Sequence, residues 1–317
     1  MSKAIVFFPV RVLLISIQPN CLITRDRMDA ATIGITFGFA SMLLFGIANF
    51  VAGIYAKRYD PIMVLSWYFS SSSVILLVVA FAFFKVPHVS PAGVVELIGA
   101  AIASAVGIFF FYRGLGSGNI SVVVPVASAY TIPAVIISVV VLGETLGSMQ
   151  IAGIAAAILG TILIGIKFGN LHKSKGALSA GMGSAVLTLF IWGAFYPLIG
   201  FLSEGMGWIW PVLASSAGTA LIFVAYGLAT KRDMSLPRKG SAGIFAYAWT
   251  ATTAFALYSI GAGTGNIALV AAIAAAAPLI TVVLAMLLLK ERLEPIQIAG
   301  LALIIVGLIA ISAFSGL

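Results

Sequence analysis

Few side chains in this sequence could carry chemistry, because only 9 of its 317 residues are acidic and only 2 are histidines. Glu96 is the one carboxylate that the pattern places well inside an apolar stretch, and such a carboxylate is typical of proton coupling. The alternative is that Glu96 lies near the end of its stretch and reaches water or Lys85. Asn49 and Tyr196 lie deeper, where an unpaired polar group is costly, so we expect both to face a protein interior. There they hydrogen-bond either to another helix or to a small bound molecule.

Prolines interrupt two further apolar stretches and predict irregular backbone there. Pro125, Pro133 and Pro278 each remove a backbone hydrogen-bond donor, and irregular backbone at membrane depth usually lines a cavity. A harmless kink is the alternative at any single proline. Polar side chains near the first two prolines could contact a bound molecule, and they belong to Ser128, Tyr130 and Thr131.

Aromatic residues inside the stretches could line a pocket for an apolar or aromatic molecule. Trp192 and Tyr247 are the strongest of these, whereas Trp208 and Trp210 suit the membrane interface, where most tryptophans of membrane proteins lie. The others of this type are Trp67, Tyr68, Trp249 and Tyr258. The predicted binding set is therefore Asn49, Glu96, Ser128, Tyr130, Thr131, Trp192, Tyr196, Tyr247 and Pro278.

Catalytic, cofactor and metal sites are not expected in this chain. Cys21 is the only cysteine, which excludes an internal disulfide and a cysteine-based metal cluster. His88 and His172 lie in connections, and neither has a nearby partner at metal-ligand spacing. The apolar stretches hold no His/Asp or Ser/His pair, so an enzyme that works inside the membrane is disfavoured.

The elements that position these residues are helices in a membrane. Hydrophobic residues make up 62% of the chain and charged residues only 8%, whereas about 25% of residues are charged in a typical soluble domain. A bilayer core requires about 20 apolar residues per helical span, and stretches of that length follow one another almost from end to end. The composition therefore predicts an all-α membrane protein in contact with the lipid bilayer.

The chain is an internal repeat, because a shift of 147 residues aligns its second half with its first without a gap. The aligned identities include Gly46 with Gly193, Gly53 with Gly200, and Glu144 with Glu291. We expect an N-terminal extension at 1–27, a first five-helix repeat at 28–170 and a second at 171–317. The extension is expected to be unstructured or a mis-assigned start, with Met28 as the natural first residue; a signal peptide is the alternative.

Ten membrane spans are predicted, five in each copy. They lie at 31–55, 62–84, 91–112, 119–142, 148–167, 178–200, 207–229, 240–260, 266–289 and 295–314. Because five is an odd number, the second copy enters the membrane from the opposite face, and two copies of one fold must then be inverted relative to each other. Such inverted repeats allow a site between the copies to open alternately to either face.

The net charge of +8 indicates topology signals rather than a nucleic-acid surface, because the basic residues lie between the apolar stretches. Nucleic acid is therefore not an expected partner. The connections after spans one, three, five, seven and nine carry 12 of the 17 basic residues, the even connections carry only Lys85, and the other four lie within residues 1–27. By the positive-inside rule, the odd connections face the cytoplasm and both termini lie outside.

An ordered set of motifs, present in both copies, carries a family resemblance. It comprises a glycine-containing turn in the first span of each copy, at 45–50 and 191–197, and small residues before spans four and nine. It also includes Gly143-Glu144 and Lys290-Glu291-Arg292, which close these spans. Over residues 31–314 the chain resembles the EamA-type drug/metabolite transporters. The resemblance implies a ten-helix carrier with a cavity formed mainly by spans one, three, four, six, eight and nine. It also implies termini in the cytoplasm, opposite to the charge pattern.

Members of this family move amino acids, other small metabolites, nucleotide sugars or drugs, often as exporters. Only Arg113 could compensate a phosphate, and spans one and six contain no carboxylate of the kind that organic-cation exporters need. We therefore expect a plasma-membrane secondary transporter of small neutral or zwitterionic metabolites such as amino acids, an exporter or exchanger that works by alternating access as a monomer or homodimer. A proton-coupled drug exporter that uses Glu96 is one alternative. A channel is another, although the sparse polar residues form no continuous path.

Overall fold

A computed structural model gives the fold, and it describes residues 30–118, 120–165, 175–238, 240–290 and 293–313. The expected extension at 1–27, the acid Glu291 and its neighbour Arg292 lie outside these ranges. Within them, all regular secondary structure is helical, and nine helical segments are long and apolar enough to cross a membrane by length and composition. This agrees with the expectation of an all-α membrane protein.

Twelve described helices follow the ten predicted spans, because spans four and nine are each divided in two. The first copy holds α1 (Ala30–Arg58), α2 (Pro61–Phe83), α3 (Pro91–Ser117), α4 (Ile120–Ser128), α5 (Thr131–Val140) and α6 (Ser148–Gly165). The second copy holds α7 (Lys175–Met206), α8 (Ile209–Ala229), α9 (Ser241–Ala262), α10 (Ile267–Ala274), α11 (Pro278–Leu288) and α12 (Pro295–Ala313). By the repeat shift, α1 is equivalent to α7, and so on in order to α6 and α12.

Helix α7 is longer than predicted, and this changes the inventory of acids inside the spans. Sequence reasoning ended the sixth span at 200, but α7 continues to Met206 and so includes Glu204. The helix stops there because Gly207 takes a positive φ of 81°, a backbone conformation that ends helices. The expectations that span six contains no carboxylate, and that Glu96 is the only one inside a span, are therefore wrong.

The breaks in spans four and nine occur at equivalent places in the two copies. Tight backbone hydrogen bonds bridge them, such as that from the Ile132 N–H to the Ala129 carbonyl at 3.0 Å. The breaks are thus kinks rather than open helix ends. Pro278 opens α11, but Pro125 lies inside α4 without ending it. The prolines therefore identify which two spans are broken. The breaks themselves lie at equivalent positions of the two copies and not at every proline.

A glycine seam joins the last helices of the two copies. A Cβ added at Gly153 of α6 would lie 2.8 Å from the Gly307 carbonyl oxygen of α12, and one at Gly160 would lie 2.6 Å from that of Gly300. The two helices run antiparallel, since the earlier residue of α6 meets the later residue of α12. The two contacts join the same pair of repeat positions with the copies exchanged. A twofold axis perpendicular to the helices produces this relation.

The same exchange relates the contacts of α1 and α7 with the broken helices. A Cβ added at Gly46 would lie 2.4 Å from Ile280 Cβ, and one added at Gly193 would lie 2.2 Å from Pro133 Cγ. Ile280 and Pro133 are themselves equivalent in the repeat. Each broken helix therefore packs, just after its break, against a glycine in the first helix of the other copy.

Contacts between the copies show which connections lie together on the same face of the protein. Asp60 in the first connection forms an ion pair with Arg232 in the seventh. Trp210, which follows the sixth connection, donates through its indole N–H to the Lys85 carbonyl in the second connection at 3.0 Å. Among the described residues, the first connection thus meets the seventh, and the second connection meets the residues after the sixth. We call the two surfaces the odd-loop face and the even-loop face.

Candidate functional site

A cavity of about 70 Å³ lies between the two copies. Its first-copy wall consists of Phe45, Ala48, Asn49, Tyr68, Phe69, Ser104, Ile108, Phe111, Ser128 and Tyr130. Its second-copy wall consists of Trp192, Phe195, Tyr196, Tyr247, Ala251, Phe255, Ala274 and Ala277. The lining residues come from spans one, two, three, four, six, eight and nine, so the cavity uses every span that the family resemblance implies and one more.

Equivalent positions of the two copies face each other across this cavity. Helices α1 and α7 each present three residues at spacing i, i+3 and i+4, which lie on one face of a helix. These residues are Phe45, Ala48 and Asn49 in α1, and their equivalents Trp192, Phe195 and Tyr196 in α7. The cavity therefore lies where the twofold relation brings the copies together.

Six of the nine residues predicted from sequence line the cavity, namely Asn49, Ser128, Tyr130, Trp192, Tyr196 and Tyr247. The other three do not. Thr131 is buried beside the break and donates through its hydroxyl to the Ser128 carbonyl at 3.1 Å. Pro278 is buried at the start of α11. Glu96 lies in the second turn of α3, partly exposed. The structure thus brings together the polar and aromatic candidates from the centres of the spans.

Helix α2 supplies part of the wall that the predicted set omits. Tyr68 and Phe69 line the cavity with stacked rings whose centroids are 4.1 Å apart. Tyr68 also meets Tyr247 of α9 in a T-shaped contact at 5.1 Å. Their repeat equivalents in α8, Ser215 and Ser216, are buried outside the lining. In the sequence, Tyr68 is an aromatic residue within a span, which fits an interface anchor as well as a cavity wall. Sequence reasoning therefore could not assign α2 to the wall.

Tyr196 is the centre of an aromatic cluster. Its ring stacks on Tyr130 at a centroid distance of 4.5 Å and meets Tyr258 edge-on at 4.8 Å. The Tyr258 hydroxyl donates to the Tyr196 carbonyl at 3.0 Å, which fixes the position of α9 against α7. Further rings in contact with it are those of Phe45, Trp192, Phe195 and Phe255. Such a surface suits the flat apolar or aromatic part of a bound molecule.

The described residues that line the cavity include no charged side chain. Its polar groups are phenol hydroxyls, one indole N–H, the amide of Asn49 and the hydroxyls of Ser104 and Ser128. These groups can hydrogen-bond to a ligand, but none of them forms an acid–base pair of the kind that covalent catalysis needs. The arrangement is therefore suited to reversible binding of a small molecule without net charge.

Comparison with known families assigns the chain. The sequence profile of the EamA-like transporter family matches residues 32–166 and 179–313, two segments with the same offset of 147 residues as the internal repeat. The chain belongs to the EamA-like transporter family. This membership indicates a membrane transporter of the drug/metabolite transporter superfamily, as the sequence motifs predict, rather than an enzyme.

A solved structure confirms the fold of this EamA-like transporter. The protein, described only as "Crystal structure of protein", superposes with a TM-score of 0.68 over 89% of this chain and 97% of its own, at 17% identity. No curated protein sequence matches this chain significantly.

Glu144 of the EamA-like transporter joins the two copies at the even-loop face. Its carboxylate accepts from the Ile267 N–H at 2.6 Å and from the Ala268 N–H at 2.8 Å, at the start of α10. Glu144 thus contacts α10 of the other copy rather than α6, the next helix in the chain. The electropositive helix start favours this partner, and the fold brings the end of span four beside the start of span nine.

The pKa of Glu144 is raised, because burial disfavours the charged carboxylate and outweighs the two N–H donors, which lower the pKa. The negative charge of Glu204 raises it further. Since the folded protein then holds this proton more tightly than the unfolded chain does, the stabilisation is present below the ordinary carboxyl pKa of 4.5 and is lost as the pH rises through the raised value.

A pH titration of stability tests this linkage. The melting temperature of the wild type should fall relative to that of Glu144→Gln as the pH rises from about 4 to about 7. Glutamine cannot titrate, so the variant shows how the melting temperature changes with pH through all the other titratable groups. A difference between the two proteins that stays constant over this range would show that Glu144 is not the responsible group.

Proposed function

We propose that the chain is a secondary transporter that moves small neutral or zwitterionic metabolites, such as amino acids, across the plasma membrane by alternating access. The observation that carries this proposal is the cavity between two copies of one fold. It is lined by helices of both copies, including equivalent positions of α1 and α7. A site at the interface of two related halves is the usual arrangement in secondary transporters.

The proposed architecture is ten membrane spans in two inverted repeats. The antiparallel contact of α6 with α12 supports it, because equivalent helices of two upright copies would run parallel. In inverted copies, each half can adopt the conformation of the other, and the exchange converts an opening at one face into an opening at the other. In the structure, the Asp60–Arg232 pair joins the copies at the odd-loop face and Glu144 joins them at the even-loop face.

The chemistry of the cavity supports an uncharged or internally neutral cargo. A phosphorylated cargo needs a basic side chain in the cavity. Arg113, the one candidate from sequence, is exposed near the end of α3 and does not line the cavity. An amino acid is electrically neutral overall, so it requires no net compensating charge. The transporter is proposed to act as a monomer or homodimer.

Counterflow tests the proposed function. Proteoliposomes that contain the purified protein and a high concentration of unlabelled metabolite should transiently accumulate the labelled form from a dilute external solution. This overshoot requires a carrier that exchanges one molecule for another. Equilibration without overshoot, together with steady conductance in planar bilayers, would instead support a channel.

Filling the cavity should stop transport without unfolding the protein. Ala251 of α9 lines the cavity and is 5% exposed, whereas Ala246 of the same helix is exposed outside it. We expect Ala251→Leu to reduce counterflow by about tenfold or more, because the added side chain takes the place of the ligand. Ala246→Leu adds the same atoms toward the exterior and should leave counterflow unchanged. Equal counterflow in the two variants would place the transport route elsewhere.

Proton-coupled export is the second candidate function, and the acids at the even-loop face favour it. The negative charge of Glu204 of α7 raises the pKa of Glu144, so carboxyl groups from different copies lie near each other where the copies meet. A proton held there could be exchanged when the face opens. Uptake driven by an imposed pH gradient, and its loss in Glu204→Gln, would support this candidate, whereas uptake that ignores the gradient would exclude it.

A further inference from the structure

We infer that the preferred cargo is a small, planar, uncharged heteroaromatic molecule with an amide-like hydrogen-bonding edge, of the type found in free nucleobases. This inference rests on the proposed transport function and narrows its substrate class. Two walls of different chemistry carry it: a hydrogen-bonding wall from the first copy and an aromatic wall to which both copies contribute.

The hydrogen-bonding wall belongs to one copy alone. Asn49, Ser104 and Ser128 are the lining residues with non-aromatic polar side chains, and all three lie in the first copy. Their repeat equivalents in the second copy are Tyr196, Ala251 and Ala275. The two copies have therefore diverged at the cavity, although their backbones correspond. A cargo that fits both walls must present a polar edge to these three side chains and an apolar face to the aromatic residues that both copies supply.

The polar groups of this wall have no protein partner among the described residues. The side chains of Ser104 and Ser128 are only 7% and 5% exposed, yet neither hydroxyl donates to a carbonyl one turn earlier. Elsewhere in the spans this bond is common, as in Ser203 to the Ile199 carbonyl at 2.6 Å and Thr252 to the Ala248 carbonyl at 2.7 Å. Buried polar groups normally find a partner. A bound molecule in the cavity can supply it.

The Asn49 side chain suits an amide-like edge in particular. A carboxamide offers one acceptor oxygen and two donor hydrogens side by side, and asparagine recognises nucleobases by pairing both with neighbouring atoms of the base edge. The described part of the chain gives the Asn49 amide no hydrogen bond, although Asn49 lines the cavity. A lactam, with adjacent N–H and C=O groups, complements it.

The aromatic wall suits the face of such a ring. Trp192, Tyr196 and Phe255 line the cavity from the second copy, with Trp192 and Phe255 in edge-on contact with Tyr196 at 6.1 Å and 6.3 Å. Stacking of a heterocycle on aromatic side chains is worth about 1–3 kcal/mol per base in nucleic-acid binding. This attraction needs no charge, in agreement with the uncharged lining.

The cavity in this structure is small. About 70 Å³ holds about five water centres at about 15 Å³ each. A single-ring base, the smallest molecule of this class, is therefore the first compound to test.

Binding of uracil by purified protein tests the inference. Isothermal titration should detect uracil, whereas 1,3-dimethyluracil, which has the same ring without its N–H donors, should bind about tenfold more weakly or worse, as one lost bidentate contact predicts. This comparison uses only the wild type, so a folding defect cannot confuse it. Equal binding of the two compounds would overturn the assignment of an amide-like edge.

Variants locate the edge on the first-copy wall. Asn49→Leu and Ser104→Ala should each weaken uracil binding, the former by about tenfold or more, with little change for 1,3-dimethyluracil. The matched control is Ser41→Ala, since the Ser41 hydroxyl is buried outside the cavity and donates to the Ala254 carbonyl at 2.8 Å. If Ser41→Ala weakens uracil binding as much as Ser104→Ala, the wall assignment is wrong.

A transport assay separates this inference from the proposed function. Uracil counterflow that fails in Asn49→Leu would support both. Counterflow of phenylalanine without any of uracil would overturn the inference and leave the proposed transport function standing. Steady conductance without counterflow of either solute would overturn both.

Discussion

Replacing Gly193 by alanine should strongly destabilise the protein and abolish counterflow. The added Cβ would lie 2.2 Å from Pro133 Cγ and 2.9 Å from Pro133 Cβ, and a proline ring cannot move aside as a flexible side chain does. Overpacking of this kind costs about 1–3 kcal/mol or more of the free energy of unfolding. The contact lies just after the break of span four, so any relief would move α5 and the cavity wall beside it. Thermal unfolding in detergent measures the stability.

The same helix offers a matched control for this variant. A Cβ added at Gly183 of α7 would meet nothing within 4 Å. Because alanine favours a helix over glycine by about 1 kcal/mol, Gly183→Ala should be neutral or slightly stabilising. Gly46→Ala should behave like Gly193→Ala, since its Cβ would lie 2.4 Å from Ile280 Cβ in the equivalent contact. A wild-type melting temperature for both Gly46→Ala and Gly193→Ala would show that the copies are not packed this closely.

Glu144→Ala should have the second large effect. The substitution leaves the Ile267 and Ala268 N–H groups without their acceptor at the start of α10. An unsatisfied buried donor costs about 1–3 kcal/mol, so we expect a clear fall in melting temperature. Transport should fall as well, because these two hydrogen bonds hold α10, which contributes to the cavity wall, against the first copy.

Two further variants show whether the fall in melting temperature comes from the lost acceptor. Glu144→Gln keeps one acceptor oxygen and should recover part of the stability at neutral pH. Asp233→Ala removes a carboxylate whose only described backbone contact is within its own loop, to the Ser235 N–H at 2.9 Å, and should change little. If Glu144→Ala melts no earlier than Asp233→Ala, the cross-copy bond does not contribute to stability.

Sequence reasoning identified the all-helical membrane class and the two matching copies, because the repeat is long and its spacing is constant. The shift of 147 residues pairs Gly153 with Gly300 and Gly160 with Gly307, and the structure uses these four residues in one antiparallel seam. The run of small residues at 271–277 is buried throughout. Periodicity and small residues carry this information locally, so it can be recognised without coordinates.

The interior of the site was less accessible to sequence reasoning, because it depends on which face of each helix turns inward. Tyr68 and Trp249 are both aromatic residues within spans, yet Tyr68 lines the cavity whereas Trp249 is 54% exposed. Trp208, expected at the interface, is buried against Phe84. The spans are apolar on all sides, so no amphipathic pattern distinguishes lipid from protein. Ser104, which has no proline or aromatic neighbour, gave no signal at all.

The seam between α6 and α12 has a consequence for each half taken separately. Because the Gly153–Gly307 and Gly160–Gly300 contacts interchange the same two positions, a five-helix unit already carries both surfaces of the joint. Two unfused units with the first-copy sequence would thus possess matching surfaces for antiparallel, twofold association. Fusion in one chain lets each half accumulate substitutions separately, whereas a self-associating single unit would carry every substitution in both subunits.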